Sequence, residues 1–104
     1  MPVDADLAGA LRRPDLPPAF ERFRVILPPG DSRRTRRADW AGCLVLVERG
    51  AVEVDCEAGG MRSFGTGDLL ALGWLPIRTL RNSGAAEASL VAVRRRGDPP
   101  GPPR

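Results

Sequence analysis

From Phe20 onward the apolar residues of this chain recur at every second position. The runs FERFRVIL, CLVLVE, AVEVDCE, DLLALG and ASLVAVR are short, rich in branched side chains, and separated by PPG, ERG, EAGG and FGTG. Period two places successive side chains on opposite faces of a strand, and glycine-bearing interruptions mark turns. Several such strands at close spacing predict an antiparallel sandwich or barrel. Before Phe20 the pattern differs. Residues 4–13, DADLAGALRR, predict one short helix, with Asp4 or Asp6 capping its first turn and Arg12 and Arg13 at its negative end. Pro14 stops it, and PDLPP reads as a stiff connector. After residue 96 the segment GDPPGPPR holds no apolar residue but proline and reads as disordered. The expected organisation is a helix and connector over 1–19, one β domain over 20–96, and a proline-rich tail over 97–104.

Within the β domain, CLVLVERGAVEVDC predicts a hairpin turning at Arg49-Gly50. In that register Val47 faces Val52, Val45 faces Val54, and Cys43 faces Cys56. Alternation then gathers Cys43, Val45, Val47, Val52, Val54 and Cys56 on an uncharged, interior face. Leu44, Leu46, Glu53 and Asp55 fall on the other. Leu44 and Leu46 call for cover, from the N-terminal helix or from another subunit.

Composition narrows the chemistry. The 104 residues suffice for one domain. All 16 cations are arginine, and neither histidine nor tyrosine occurs. The absence of histidine removes the commonest metal ligand and the side chain that titrates nearest neutrality. No run approaches the ~18 apolar residues of a membrane span. The first 13 residues begin with acids and lack the apolar core of a secretory signal, so a cytoplasmic protein with two reduced cysteines is expected.

Two spaced patterns carry a family resemblance. Gly30 is followed after five residues by Arg36, then by Ala38, by Cys43, and by Gly50. Gly67 is followed by Gly73, Leu75, Arg78 and Asn82. These spacings resemble the two motifs of the cupin family, whose fold is a small jelly-roll barrel of two antiparallel sheets. In a usual cupin the places of Arg36, Ala38 and Arg78 hold histidines, and that of Cys43 a glutamate, which together bind a divalent metal. The spacing is kept here and the ligands are replaced. The resemblance thus implies an all-β, single cupin-like double-sheet barrel preceded by a short helix. It also implies homodimers formed by sheet packing.

A guanidinium offers five donors and no lone pair, so this set does not suit a metal. No metal and no other cofactor is expected. Two arginines approaching one cavity call for a counter-charge. A carboxylate, phosphate or sulfate meets them with forked hydrogen bonds. The expected ligand site is therefore Arg36 and Arg78 with Cys43 and Cys56, walled by Trp40 and Trp74. Each has a plainer reading. Arg36 and Arg78 extend into water or pair with Asp39, Asp68 or Glu87; the tryptophans are core or interface; the cysteines are small buried hydrophobes. Arg33, Arg34 and Arg37 read as a solvated loop face. The basic run at 94–96 adds a nucleic-acid alternative, but stacking aromatics are scarce and no recognition motif appears.

The function expected is a metal-free, non-catalytic binder of a small anionic molecule in the barrel. The alternatives are a dimerisation or interaction module, or a metal-independent thiol enzyme working through Cys43.

Overall fold

The computed structural model describes residues 19–95. The helix expected over 4–13 and the tail expected over 97–104 lie outside these residues. Within them the elements are β1 (Phe20–Leu27), β2 (Ser32–Arg34), the 3-10 helix η1 (Arg37–Trp40), β3 (Leu44–Arg49), β4 (Ala51–Cys56), β5 (Met61–Gly65), β6 (Leu69–Leu70), the 3-10 helix η2 (Leu72–Trp74), β7 (Ile77–Arg81) and β8 (Ala88–Arg95).

The strands form two four-stranded sheets, one in the order β1-β8-β3-β6 and the other β2-β7-β4-β5. Every pairing is antiparallel. The expectation of a barrel is corrected in one respect: the sheets do not close on each other, and the architecture is a two-layer sandwich.

The expected hairpin at Arg49-Gly50 is also corrected. β3 pairs with β8 and β6, whereas β4 pairs with β5 and β7. Val47 and Val52 are therefore not ladder neighbours, and neither are Cys43 and Cys56. The chain crosses from one sheet to the other at Gly50, which adopts φ +77° and passes so close to β8 that a Cβ there would lie 2.7 Å from the carbonyl oxygen of Glu87. Only glycine combines that dihedral with that approach. The assignment of faces survives the change of topology. Cys43, Val45, Val47, Val52, Val54 and Cys56 all lie in the main core, with Leu27, Trp40, Leu72, Ile77 and Leu80 among the side chains packed around them. The alternation changes phase at the crossing: odd positions face the core up to Val47 and even positions from Val52 on, so the same six side chains end up inward as a tight turn would give.

Leu44 and Leu46 belong to a second apolar cluster with Phe20, Val91 and Val93, on the outward face of the first sheet. The register Leu44↔Val93 and Leu46↔Val91 makes them cross-strand pairs, so part of their cover comes from β8 itself. Between the edge strand β1 and its neighbour β8, Arg94 donates from Nε to Glu21, and both side chains are largely withdrawn from water.

Candidate functional site

The arginine-rich segment becomes β2 and the entry to η1. Arg33 lies opposite Leu80, which points into the core. Alternation then sends Arg34 outward, Thr35 inward and Arg36 outward again. Thr35 is buried, and its hydroxyl organises the turn. It accepts a hydrogen bond from Trp40 Nε1 at 2.9 Å and donates to Asp39 Oδ2 at 3.0 Å. The same carboxylate oxygen accepts the Arg36 amide at 3.0 Å. Asp39 is thereby committed to closing the first turn of η1, and its Oδ1 stands 3.8 Å from the Arg36 guanidinium. The Arg36 side chain is 81% exposed.

Arg78 is aimed by a different device. Opposite β4, the register passes from Asp55↔Thr79 to Cys56↔Ile77, leaving Arg78 as the extra residue of a β-bulge. In an unbroken strand Arg78 would share the inward face of Leu80. The bulge re-aims it toward Asp55. Its Nη2 donates to Asp55 Oδ2 at 2.9 Å. This hydrogen bond, the Asp55 charge and the nearby Glu57 charge hold the guanidinium above its ordinary pKa, so it stays charged throughout the accessible pH range.

Arg34, Thr35, Arg36, Asp39, Glu57 and Arg78 line one open cleft of about 570 Å³. Glu57 enters from the β4–β5 turn, where its backbone N–H donates to the Pro76 carbonyl at 2.8 Å. Three guanidiniums and two carboxylates thus share a single concavity. Arg36 and Arg78, singled out by motif spacing, do meet there. The other four expected ligand residues do not line it. Trp40 is fully buried beneath the cleft, and its carbonyl packs against Gly73 of η2, where a Cβ would lie 2.9 Å away. Cys43 and Cys56 are buried in the core and not joined by a disulfide. Trp74 is 71% exposed on η2. Spacing alone missed Arg34 and Glu57, though alternation along an extended segment pairs Arg34 with Arg36 on one side.

No family model matches the chain, and no curated protein matches it. Solved structures do. A Cupin 2 conserved barrel domain protein from Salinispora arenicola superposes with a TM-score of 0.60 at 19% identity, over 82% of this chain and 70% of that one.

The chain has a cupin fold.

A Cupin_2 domain of an XRE family transcriptional regulator from Enterobacter cloacae superposes with a TM-score of 0.53 at 23% identity, over 83% of this chain and 84% of that one. A cupin domain from Bordetella pertussis gives 0.51 at 13% identity, over 75% and 82%. The metal that the cupin fold brings to mind does not fit the residues present. Arg36 and Arg78 have no lone pairs to donate, Ala38 has no donor at all, and Cys43 lies in the core away from both arginines' cleft. Among the described residues, no three His, Cys, Asp or Glu side chains gather as a metal-binding group. No described helix is long and apolar enough to cross a membrane.

Proposed function

We propose that this cupin-fold domain is a non-catalytic binder of a small anionic molecule, held in the cleft between β2, η1 and β7. The observation that carries the reading is the meeting of Arg34, Arg36 and Arg78 on one concave surface. Arg34 forms no ion pair among the described residues, and the Arg36 guanidinium comes no nearer to Asp39 than 3.8 Å. Both can turn their forks to a carboxylate or phosphate without breaking a strong contact. The location differs from the sequence expectation. The space between the sheets is occupied by core side chains, and the arginines gather outside it.

Calorimetric titration with succinate and with inorganic phosphate tests this. Arg34→Ala and Arg36→Ala each weaken binding by about fivefold, the equivalent of one exposed ion pair of about 1 kcal/mol. Arg62→Ala, on an exposed strand residue outside the cleft, serves as the control. Absence of binding by the parent, or equal loss in all three variants, overturns the reading.

A second reading is a homodimerising or protein-interaction module. It is supported by Trp74, which is 71% exposed. Large apolar side chains in water commonly mark contact surfaces. Sedimentation of the parent and of Trp74→Ser distinguishes it: a dimer lost in the variant supports the module. The thiol-enzyme alternative finds no accessible nucleophile, because Cys43 is 6% exposed and Cys56 is 7% exposed.

A further inference from the structure

The cleft is not uniformly basic, and its acids are not equivalent. Asp39 is engaged: one oxygen holds the Thr35 hydroxyl and the Arg36 amide, and the other faces the Arg36 guanidinium. Asp55, the partner of Arg78, does not line the cleft. Glu57 does line it, is exposed, and its carboxylate makes no hydrogen bond or ion pair among the described residues. It stays near enough for its charge to be felt at Arg78. Its backbone is fixed by the amide's bond to Pro76, so the residue is held at the cleft edge.

A simple anion entering this cleft meets Glu57 as a repulsive wall. A ligand carrying a cationic amine beside its carboxylate meets it as a partner. We propose that the ligand class of this cleft is zwitterionic, an amino acid or a molecule with an amino-acid head. Its carboxylate lies on the Arg34, Arg36 and Arg78 guanidiniums and its ammonium on Glu57. The inference rests on the anion site proposed above. It adds a sign-specific discrimination that a site built of arginines alone lacks. The ammonium contributes donors to an acceptor that has none, and the carboxylate satisfies guanidinium donors facing water.

The test compares three probes with the same four-carbon dicarboxylate skeleton by calorimetric titration at low salt: L-aspartate, succinate and N-acetyl-L-aspartate. Succinate lacks the amine of aspartate, and the acetyl compound keeps the nitrogen but not its charge. The parent binds aspartate up to about fivefold more tightly than either other probe, the range of one exposed ion pair. Glu57→Gln removes that preference or inverts it, because the wall that repelled succinate is gone as well. Circular dichroism confirms that this surface variant is folded. Binding of all three probes with equal affinity in the parent, or an aspartate preference that survives Glu57→Gln, overturns the zwitterion assignment while leaving the anion site standing. Binding of none of the three overturns both.

Discussion

The indole N–H of Trp40 donates to Thr35 Oγ1 at 2.9 Å, tying the fully buried floor of the cleft to the extended segment that carries Arg34 and Arg36. Thr35→Val keeps the side-chain shape but removes the acceptor. A buried donor left without a partner costs about 1–3 kcal/mol. Urea unfolding of the variant is expected to show a loss in that range with an unchanged m-value. A loss below about 0.5 kcal/mol would show that Trp40 finds another acceptor.

Asn82, which closes the second motif, works as a clamp and not as a ligand-binding group. Its Nδ2 donates to the carbonyls of Leu27 at 2.9 Å and Ala86 at 2.8 Å, and its Oδ1 accepts the Gly84 amide at 3.0 Å. It joins the end of β1 to the loop between β7 and β8. Asn82→Leu leaves these groups unpaired, at a cost of about 2–3 kcal/mol. Denaturant melting checks the value, and unaltered stability would contradict the assignment.

Gly50 and Gly30 separate two reasons for glycine. Both have positive φ, +77° and +78°, but a Cβ on Gly30 meets nothing within 4 Å, whereas on Gly50 it meets β8 backbone. Gly30→Ala carries only the dihedral penalty, about 1–2 kcal/mol. Gly50→Ala adds a clash with backbone that cannot yield without disturbing β8, and is expected to cost at least about 2 kcal/mol more, in the range of overpacking. Parallel thermal melts of the two variants give the comparison. Equal shifts would contradict the crossing of the chain at Gly50.

The outward pair Arg24–Glu48 gives a pH dependence. Glu48 accepts from Arg24 at 3.0 Å and from the Ser89 hydroxyl at 2.9 Å. The Arg24 hydrogen bond, partly opposed by desolvation and aided by Ser89, holds its carboxyl below the ordinary 4.5. A carboxyl lowered by folding stabilises the native state above its unfolded pKa. That contribution is lost as pH falls from about 4.5 through the lower folded value. Glu48→Gln is expected to flatten this part of the stability profile between pH 5 and the acid limb, by a small amount because the pair is exposed. Coincident profiles of parent and variant over that interval would contradict it.

How much of this was legible in the sequence varies by level. Facing was legible, because alternation depends only on the local strand: the six residues from Cys43 to Cys56 chosen as interior are the ones in the core. Pairing was not. A tight turn and a crossing between layers both need a positive-φ glycine and both leave the same side chains inward, so ERGAV reads alike in either case. Motif spacing brought Arg36 and Arg78 to one place but misjudged the side of the sheet. The reasons are local: the Asp39-closed turn follows Arg36, and a bulge rotates Arg78 toward Asp55. A one-residue bulge leaves no clear mark in a sequence. In the sequence Glu57 reads as a solvated turn carboxylate, because its place at the cleft depends on the β4–β5 turn lying against Pro76, a contact between segments 19 residues apart in numbering.

The central claim is that the arginines of the cleft, and no interior site, receive the ligand. Nitrogen-15 NMR of the arginine Nε–Hε groups during titration with succinate tests it most directly. The account predicts saturable shifts of the Arg34, Arg36 and Arg78 resonances, with those of Arg24 and Arg62 unmoved. Shifts confined to other arginines, or perturbation of the core amides around Cys43 and Cys56 without those three, would contradict it.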